Sequence, residues 1–228
     1  MSDQLVRLTD YDWAWQDLFA DQQARVAAIL APWLAAPVEH IGSTSVPGLA
    51  AKPVIDMLAV VRSLASAEDA VAPLAGDGWL FWPDDPCRHY RLWFLRPRPE
   101  ARTHHMQLIE HGDPHARALI AFRDALRADP GLRADYADLK KGLASQHREN
   151  RNAYTNAKSE FVARVLHAAG VDLPARGRLR EQQLSGRHPA GRRMCCRETP
   201  APNFNHAGLA DALSIRQGRA HVVSLSLF

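Results

Sequence analysis

The residues best suited to chemistry lie in residues 39–61, which read E-H-I-G-S-T-S-V-P-G-L-A-A-K-P-V-I-D-M-L-A-V-V. This stretch combines small, hydroxyl-bearing and cationic residues with one acid inside an apolar segment: Gly42, Ser43, Thr44, Ser45, Lys52 and Asp56. Small residues let backbone N–H groups approach a phosphate, and hydroxyl and ammonium groups add further contacts. A carboxylate on a strand can hold Mg²⁺ against such phosphates. The stretch therefore predicts a phosphate-binding loop beside a metal-binding Asp56.

A second interpretation of the same residues is purely structural. A carboxylate in an apolar strand is costly to bury unless it is paired, hydrogen-bonded or bound to a metal. Asp56 would meet that requirement equally well by accepting from the Thr44 and Ser45 hydroxyls or by pairing with Lys52. Gly42 would then serve a tight loop with positive φ instead of a ligand. The residues of this stretch leave both interpretations open.

Strands must position these groups. Residues 38–42 predict a short strand, and residues 54–61 predict a strand that is apolar on both faces and so lies centrally in a sheet. Residues 89–96 and 102–109 predict a hairpin. Alternation along its second arm puts His105 and Gln107 on one face, which makes His105 a candidate site residue. In the first arm, Arg91 is the arginine placed to reach a phosphate across the sheet.

Helices are predicted on both sides of these strands in the chain. Apolar periodicity indicates helices over 11–34 and 66–76. Two Asp-Pro pairs, which suit the cap and first turn of a helix, open helices over 113–128 and 129–147, and a further helix spans 152–170.

Composition and charge limit the function classes. At 228 residues and 46% hydrophobic content the chain can bury a substantial core. We find no apolar run that could span a membrane and no leader, which predicts a cytoplasmic protein without a membrane partner. The three cysteines, Cys87, Cys195 and Cys196, have neither a disulfide pattern nor zinc spacing.

The net charge of +3 is distributed unevenly. From Arg176 onward nine arginines and three acids give +6, which leaves −3 for the preceding residues. A mildly acidic body argues against a nucleic-acid partner. Residues 173–228 are low in hydrophobicity and rich in arginine, which predicts a disordered tail after a domain of residues 1–172.

Longer motifs indicate a family. The string H-I-G-S-T-S-V-P-G-L-A-A-K-P-V-I-D is followed by R-T-H-H-M-Q-L-I-E, F-R-D-A-L-R, Y-A-D-L-K and Y-T-N-A-K-S-E-F-V, which together cover roughly residues 5–169. This series closely resembles the GrpB-like family, a diverged branch of the nucleotidyltransferase superfamily. The resemblance implies an α/β (α+β) fold with a small mixed sheet flanked by helices. It also implies a domain that occurs fused to dephospho-coenzyme A kinase as an accessory module.

The resemblance adds Lys158, in Y-T-N-A-K, as a lysine that could contact an anionic ligand. Two positions depart from an active two-metal nucleotidyltransferase: Leu58 stands where a second acid is expected, and Gln107 stands where the family usually carries histidine. We therefore expect a protein that binds a nucleotide or another phosphorylated small molecule, with Mg²⁺-dependent nucleotidyl transfer as its reaction if it is an enzyme. The alternative is a catalytically inactive accessory module that acts through a protein partner.

Overall fold

A five-stranded mixed sheet forms the centre of the protein. The computed structural model describes residues 6–171 and 173. Its strands are β1 (Glu39–Ile41), β2 (Ile55–Val61), β3 (Leu80–Phe81), β4 (Arg91–Arg96) and β5 (His104–Glu110). They lie in the order β1-β2-β5-β4-β3, with β2 and β5 parallel and the other neighbours antiparallel. The predicted hairpin and the predicted small mixed sheet are both confirmed.

Helices flank this sheet. They are α1 (Ala14–Leu30), α2 (Val71–Gly76), α3 (Pro114–Ala128), α4 (Pro130–Gln146), α5 (Arg151–Asn156) and α6 (Ser159–Ala168). The two Asp-Pro pairs begin helices as predicted. The Asp113 side chain accepts from the His115 N–H at 2.8 Å, and that of Asp129 accepts from the Leu132 N–H at 3.0 Å. In both cases proline follows in the first turn, where its missing N–H is no loss.

The register of three strands brings the predicted site together. Asp56 on β2 lies opposite Ile41 on β1 and beside His105 on β5. Residues that pair across neighbouring strands project from the same face of a sheet, so Asp56 and His105 share a face. Gly42 follows Ile41 directly, which places the start of the loop at the same end of β2.

Apolar clusters cover the sheet on both faces. On one face Met57, Phe94 and Met106 pack against α1 and α2. On the other face Leu58 and Ile109 pack with residues of α3. A further cluster joins α3, α4 and α6 to the loop after β1; its members include Leu49, Phe122, Tyr136 and Phe161. The prediction that residues 54–61 form a central, doubly covered strand is confirmed.

Three helix predictions differ in their limits. The first helix begins at Ala14 and ends at Leu30, and the segment at 66–76 opens with a 3-10 turn over Ser66–Ala70. The single helix predicted over 152–170 is two helices, α5 and α6. The break follows from a tightened turn in which the Lys158 N–H donates to the Thr155 carbonyl at 3.4 Å. Apolar periodicity does not detect so short a break.

Some predictions concern properties that this fold does not test. In the part of the chain that the structure describes, no helix is both long and apolar enough to cross a membrane. The cytoplasmic location and the domain limit at residue 172 stay predictions. Apart from Leu173, the predicted tail lies outside the described residues.

A buried ion pair secures β4. The Arg91 guanidinium donates to both Asp85 carboxylate oxygens, at 2.7 and 3.1 Å, and to Gln107 Oε1 at 2.9 Å. Both side chains of the pair are only 4% exposed. Such bidentate geometry compensates the two charges for the water that they lose.

Replacing Arg91 with Met should lower the free energy of unfolding by about 3–5 kcal/mol, because Asp85 stays buried without its countercharge. Urea unfolding measures the loss. Arg88→Met provides the matched control: Arg88 pairs with Glu68 at 3.1 Å in an exposed position, and its loss should change stability by about 1 kcal/mol or less. Equal losses in the two variants would show that the buried pair has no special weight.

Candidate functional site

The loop after β1 can close over Asp56 because residue 42 is glycine. Gly42 has a φ of 71°, in the region that favours glycine. A Cβ placed there would lie 2.6 Å from Asp56 Oδ2 and 3.0 Å from Asp56 Cβ. Of the two predicted roles for Gly42, the structure shows the tight loop with positive φ, and it adds a close contact with Asp56 that the sequence did not predict.

Hydroxyl groups fasten this loop from within. Ser45 Oγ donates to the Gly42 carbonyl at 2.6 Å, and Thr44 Oγ1 donates to the Val54 carbonyl at 3.2 Å. Because the Thr44 proton is used in that bond, Thr44 Oγ1 accepts from His40 Nε2, 3.1 Å away. Burial lowers the pKa of His40 to about 4, so its ring is neutral at physiological pH. These bonds orient the loop hydroxyls away from Asp56.

Two arginines of α3 hold the loop from outside. Arg127 donates to the Ser45 carbonyl from Nη2 at 2.8 Å and from Nε at 3.1 Å. Arg123 Nη1 donates to the His40 carbonyl at 2.9 Å and to Glu39 Oε2 at 2.6 Å. Both arginines belong to the F-R-D-A-L-R motif. Their contacts give that motif a physical role, which is to fix the loop against α3.

Asp56 has His105 as its hydrogen-bond partner. His105 Nδ1 lies 3.0 Å from Asp56 Oδ1, as the strand register dictates. The Asp56 side chain is 28% exposed and the His105 side chain 10%. The expected contacts of Asp56 with the Thr44 and Ser45 hydroxyls do not form, because those hydroxyls donate to carbonyls. Asp56 thus presents its second carboxylate oxygen beside Gly42.

Lys140 of α4 contributes a buried amine to the site. Its Nζ donates to the Ala50 carbonyl at 2.6 Å and to Ser43 Oγ at 3.0 Å, and it lies 4.9 Å from the Tyr136 ring centroid. The residue is 2% exposed. Burial, and to a smaller extent Lys158, lowers the pKa of Lys140 to about 7. The ammonium and the neutral amine of Lys140 are therefore both well populated at physiological pH.

Lys158, in the turn between α5 and α6, packs against a tyrosine ring as Lys140 does. Its Nζ lies 4.7 Å from the centroid of the Tyr154 ring, and the residue is 6% exposed. In both cases the tyrosine precedes the lysine by four residues. Tyr136 and Lys140 share one face of α4, whereas Tyr154 belongs to α5 and Lys158 lies in the turn between α5 and α6. An ammonium over an aromatic ring retains part of the stabilisation that water would supply.

These groups surround one pocket. Its walls are Gly42, Ser43, Thr44, Lys52, Val54, Asp56, His105, Lys140, Tyr154, Thr155 and Lys158. The pocket is partly open to solvent, and its volume of about 90 Å³ exceeds the roughly 10–15 Å³ that one water needs. It is well below the several hundred Å³ of a pocket that encloses a drug-sized molecule. The pocket therefore suits a small polar group, with the rest of a larger ligand outside.

The structure brings most of the predicted site residues into this pocket. Gly42, Ser43, Thr44, Lys52, Asp56, His105 and Lys158 all line it. Ser45 does not, since its hydroxyl is bonded within the loop. Arg91 does not either, because Asp85 and Gln107 hold its guanidinium.

Sequence reasoning does not single out Lys140, although the Y-A-D-L-K motif contains it. A lysine in a helix is usually solvated. Only the fold shows that the face of α4 that carries Lys140 packs against the loop. One signal was available. Lys140 stands four residues after a tyrosine, as Lys158 does, within a second motif of the same family.

The charge balance of the pocket is positive. Among the described residues that line it, Lys52, Lys140 and Lys158 face a single carboxylate, that of Asp56. Leu58, where a second acid was expected, is fully buried in an apolar cluster. Within residues 6–171 and 173, no group of three or more His, Cys, Asp or Glu side chains is arranged to hold a metal ion.

Comparison with known proteins now identifies the family. The sequence model described as "GrpB protein" matches residues 5–168, which is most of the chain. The chain belongs to the GrpB family. The predicted resemblance is thereby confirmed, and the loop and the two Tyr-Lys pairs described above all lie within the matched residues.

Relatives of this GrpB-family chain support the assignment. UPF0157 protein PA4798 of Pseudomonas aeruginosa is 38% identical over 173 residues, covering 73% of this chain and 69% of the relative. UPF0157 protein YqkA of Bacillus subtilis is 34% identical over 69% of this chain, which spans only 45% of YqkA. The crystal structure of conserved protein GrpB from Enterococcus faecalis superposes with a TM-score of 0.65 at 30% identity. That superposition covers 72% of this chain and 96% of the other.

A partial similarity reaches a named enzyme. A dephospho-CoA kinase of Mycolicibacterium paratuberculosis is 32% identical over 147 residues, which are 54% of this chain and 36% of that protein. The GrpB-like sequence therefore also occurs as part of a longer protein.

Replacing Gly42 with Ala should destabilise the protein by more than the same change at Gly48. Gly48 also has positive φ, at 78°, but its Cβ would meet no atom within 4 Å. Gly48→Ala should thus cost about 1 kcal/mol from backbone strain alone, while Gly42→Ala adds the clash with Asp56. Urea unfolding of both variants gives the difference. Indistinguishable losses would mean that the loop does not depend on its contact with Asp56.

The buried Lys140 should make stability depend on pH. Its folded pKa of about 7 lies below the roughly 10.4 of an unfolded chain, so between these values only the unfolded chain holds the proton. Stability should consequently rise with pH across this window, by up to about 1.4 kcal/mol per unit, and the penalty of the buried charge is largest below pH 7. Urea unfolding between pH 6 and 9 measures the slope.

Lys140→Met should remove this slope, whereas Lys141→Met should keep it. Lys141 is the neighbouring exposed lysine, and its Nζ lies 3.5 Å from Asp138 Oδ1. If Lys140→Met unfolds with the wild-type pH dependence, Lys140 is not the group that titrates.

Proposed function

We propose that this chain binds a phosphorylated small molecule, a nucleotide among the candidates, and holds its phosphate in the pocket beside Asp56. The observation that carries the proposal is the distribution of lysine. The sequence has only four lysines, Lys52, Lys140, Lys141 and Lys158, and three of them line this pocket.

The choice of cation is informative because arginine supplies nearly all other positive charge in the chain. Arginine suits buried and bidentate pairs, as at Arg91 and Arg123, whereas lysine is a compact point charge. Two of the pocket lysines, Lys140 and Lys158, are also buried. A dianionic group bound between them would favour the charged form of both side chains.

The size and the polar groups of the pocket fit the same ligand. Ser43 and Thr44 border a space large enough for a phosphate. Of the described residues that line this space, Asp56 alone carries a charge that would repel it. His105 forms a 3.0 Å hydrogen bond with Asp56 and so partly compensates the charge of that carboxylate. An incoming phosphate would therefore meet a net positive field.

Mg²⁺-dependent nucleotidyl transfer is a narrower proposal, and the described residues fit it poorly. A two-metal centre needs several anionic oxygens, but the pocket has one carboxylate, and Oδ1 of that carboxylate already contacts His105. Leu58 and Gln107 occupy the positions of the missing ligands. Mg²⁺ enters our proposal only as an ion carried by nucleotide phosphates, which Asp56 would help to hold. We derive no reaction step through it.

A binding module without catalysis is the second candidate function. It is favoured by Leu58, which is packed into the core where a metal ligand would be needed. The partial similarity to a dephospho-CoA kinase supports a role as an accessory domain that acts with a partner protein. Both candidates use the same anion pocket, and turnover of a nucleoside triphosphate distinguishes them.

Sulfate should raise the thermal midpoint of the protein, because a ligand that binds only the folded state stabilises it, by about 2.7 kcal/mol at a hundredfold excess over Kd. Sulfate is chosen because it stays a dianion at neutral pH. Its affinity should weaken above about pH 7, as Lys140 loses its proton. Differential scanning fluorimetry at pH 6–9 gives both results, with phosphate and nucleoside triphosphates, with and without Mg²⁺, run in parallel.

Lys158→Met should abolish the shift, and Lys141→Met should preserve it, since Lys141 is exposed and outside the pocket. No stabilisation by any of these anions, with or without Mg²⁺, would refute the proposal. Stabilisation that survives Lys158→Met would place the anion elsewhere.

A further inference from the structure

The Lys140 amine has the surroundings of a nucleophile, a role that anion binding does not require. We propose that Lys140 forms a Schiff base with a phosphorylated aldehyde or ketone whose phosphate is held by Lys52 and Lys158. The phosphate part of this inference rests on the proposed function, whereas the reactivity of the amine does not.

The hydrogen bonds of Lys140 can all be kept by a neutral amine. Such an amine has two N–H groups and one lone pair, and Nζ has two hydrogen-bond acceptors in the described structure, Ala50 O at 2.6 Å and Ser43 Oγ at 3.0 Å. In the neutral form both N–H groups are therefore used by the loop, and the lone pair is left for an electrophile. The loop therefore orients the amine as well as burying it.

The neighbours of Lys140 favour the same neutral form. Desolvation and a second cation are the two established means of producing a nucleophilic lysine. Lys140 has both, since it is 2% exposed and Lys158 lines the same pocket. Their effect on its pKa, which falls to about 7, leaves a large neutral fraction at physiological pH.

The residue type supports the assignment. A guanidinium stays protonated in proteins and forms no Schiff base, so an arginine at position 140 would bind an anion but could not react. This chain uses arginine for most of its positive charge, yet it has lysine at this buried position. Lysine at this position can serve both anion binding and the covalent step.

The covalent step balances without a further reactant. The neutral Nζ adds to the carbonyl carbon and gives a carbinolamine. The carbonyl oxygen then leaves as water with the two amine hydrogens, and a C=N double bond remains on Nζ. A proton from solvent converts this imine to its cationic form. No group is oxidised or reduced, and water is the single by-product.

Pyridoxal 5′-phosphate, a phosphorylated aldehyde, is the probe for this inference. The full chain is mixed with one equivalent at pH 7.5, reduced with borohydride and digested, and the adduct on each lysine is quantified by mass spectrometry. A typical lysine, with a pKa near 10.4, is about 0.1% neutral at this pH. We therefore expect Lys140 to be labelled at least about tenfold faster than Lys141, and excess sulfate to slow its labelling. Since all four lysines are compared in one wild-type sample, the result does not depend on a variant that folds.

Two further arms separate this inference from the proposed function. Pyridoxal, which lacks the phosphate, should label Lys140 more slowly than the phosphorylated probe. Lys140→Arg should lose the adduct while keeping a thermal shift with sulfate. If sulfate binds but Lys140 is labelled no faster than Lys141, the Schiff base is refuted and anion binding stands. If both probes label Lys140 equally and sulfate has no effect, the amine is reactive but the phosphate site, and the proposed function with it, is refuted.

Discussion

The close contact between Gly42 and Asp56 is the constraint on which the rest of the site depends. Because residue 42 has no side chain, the backbone passes directly over the carboxylate, and the following residues turn at once into a 3-10 turn. That turn places the Ser43 hydroxyl where it accepts from Lys140, and the Ser45 carbonyl where it accepts from Arg127. The loop is thus both the roof of the pocket and the surface on which α3 and α4 dock.

Charge is arranged around this loop in two layers. Arginines of α3 hold β1 and the loop from the outer side: Arg123, which is buried, donates to the His40 carbonyl, and Arg127, which is partly exposed, donates to the Ser45 carbonyl. Lys140 and Lys158 occupy the inner side, where they are shielded from water. The distinction follows from chemistry, because a planar guanidinium suits fixed bidentate contacts and an ammonium can gain or lose its proton. The protein thereby separates the arginines that fasten the loop from the lysines that line the pocket.

Much of the fold could be predicted from local patterns. Asp-Pro pairs locate the starts of α3 and α4, and apolar alternation locates β2 and the β4–β5 hairpin, because these signals lie within a few residues. The position of Asp56 beside Gly42 and His105 was also predictable in outline. The partners were not: Arg91 was expected to reach a phosphate, but it pairs with Asp85, which lies in a turn outside any periodic segment.

Lys140 shows the same limit for the site. Its role depends on which face of α4 meets the loop, and that is decided by packing between residues almost a hundred positions apart. The break between α5 and α6 has a similar origin, since a single tightened turn leaves the apolar pattern intact. Local sequence therefore predicts the elements, while their docking selects which polar side chains become buried.

Ser43 and Lys140 are hydrogen-bonded to each other but lie 97 residues apart in the chain. This separation has a consequence for the net charge of the pocket. The strands and the loop contribute one carboxylate, one imidazole and Lys52, which together are close to neutral. The positive field arises only when α4 and the segment around Lys158 pack onto the loop. The charge of this cleft is thus a tertiary property. The first half of the chain leaves the surface nearly uncharged, and the later helical segments supply the positive charge when they pack against it.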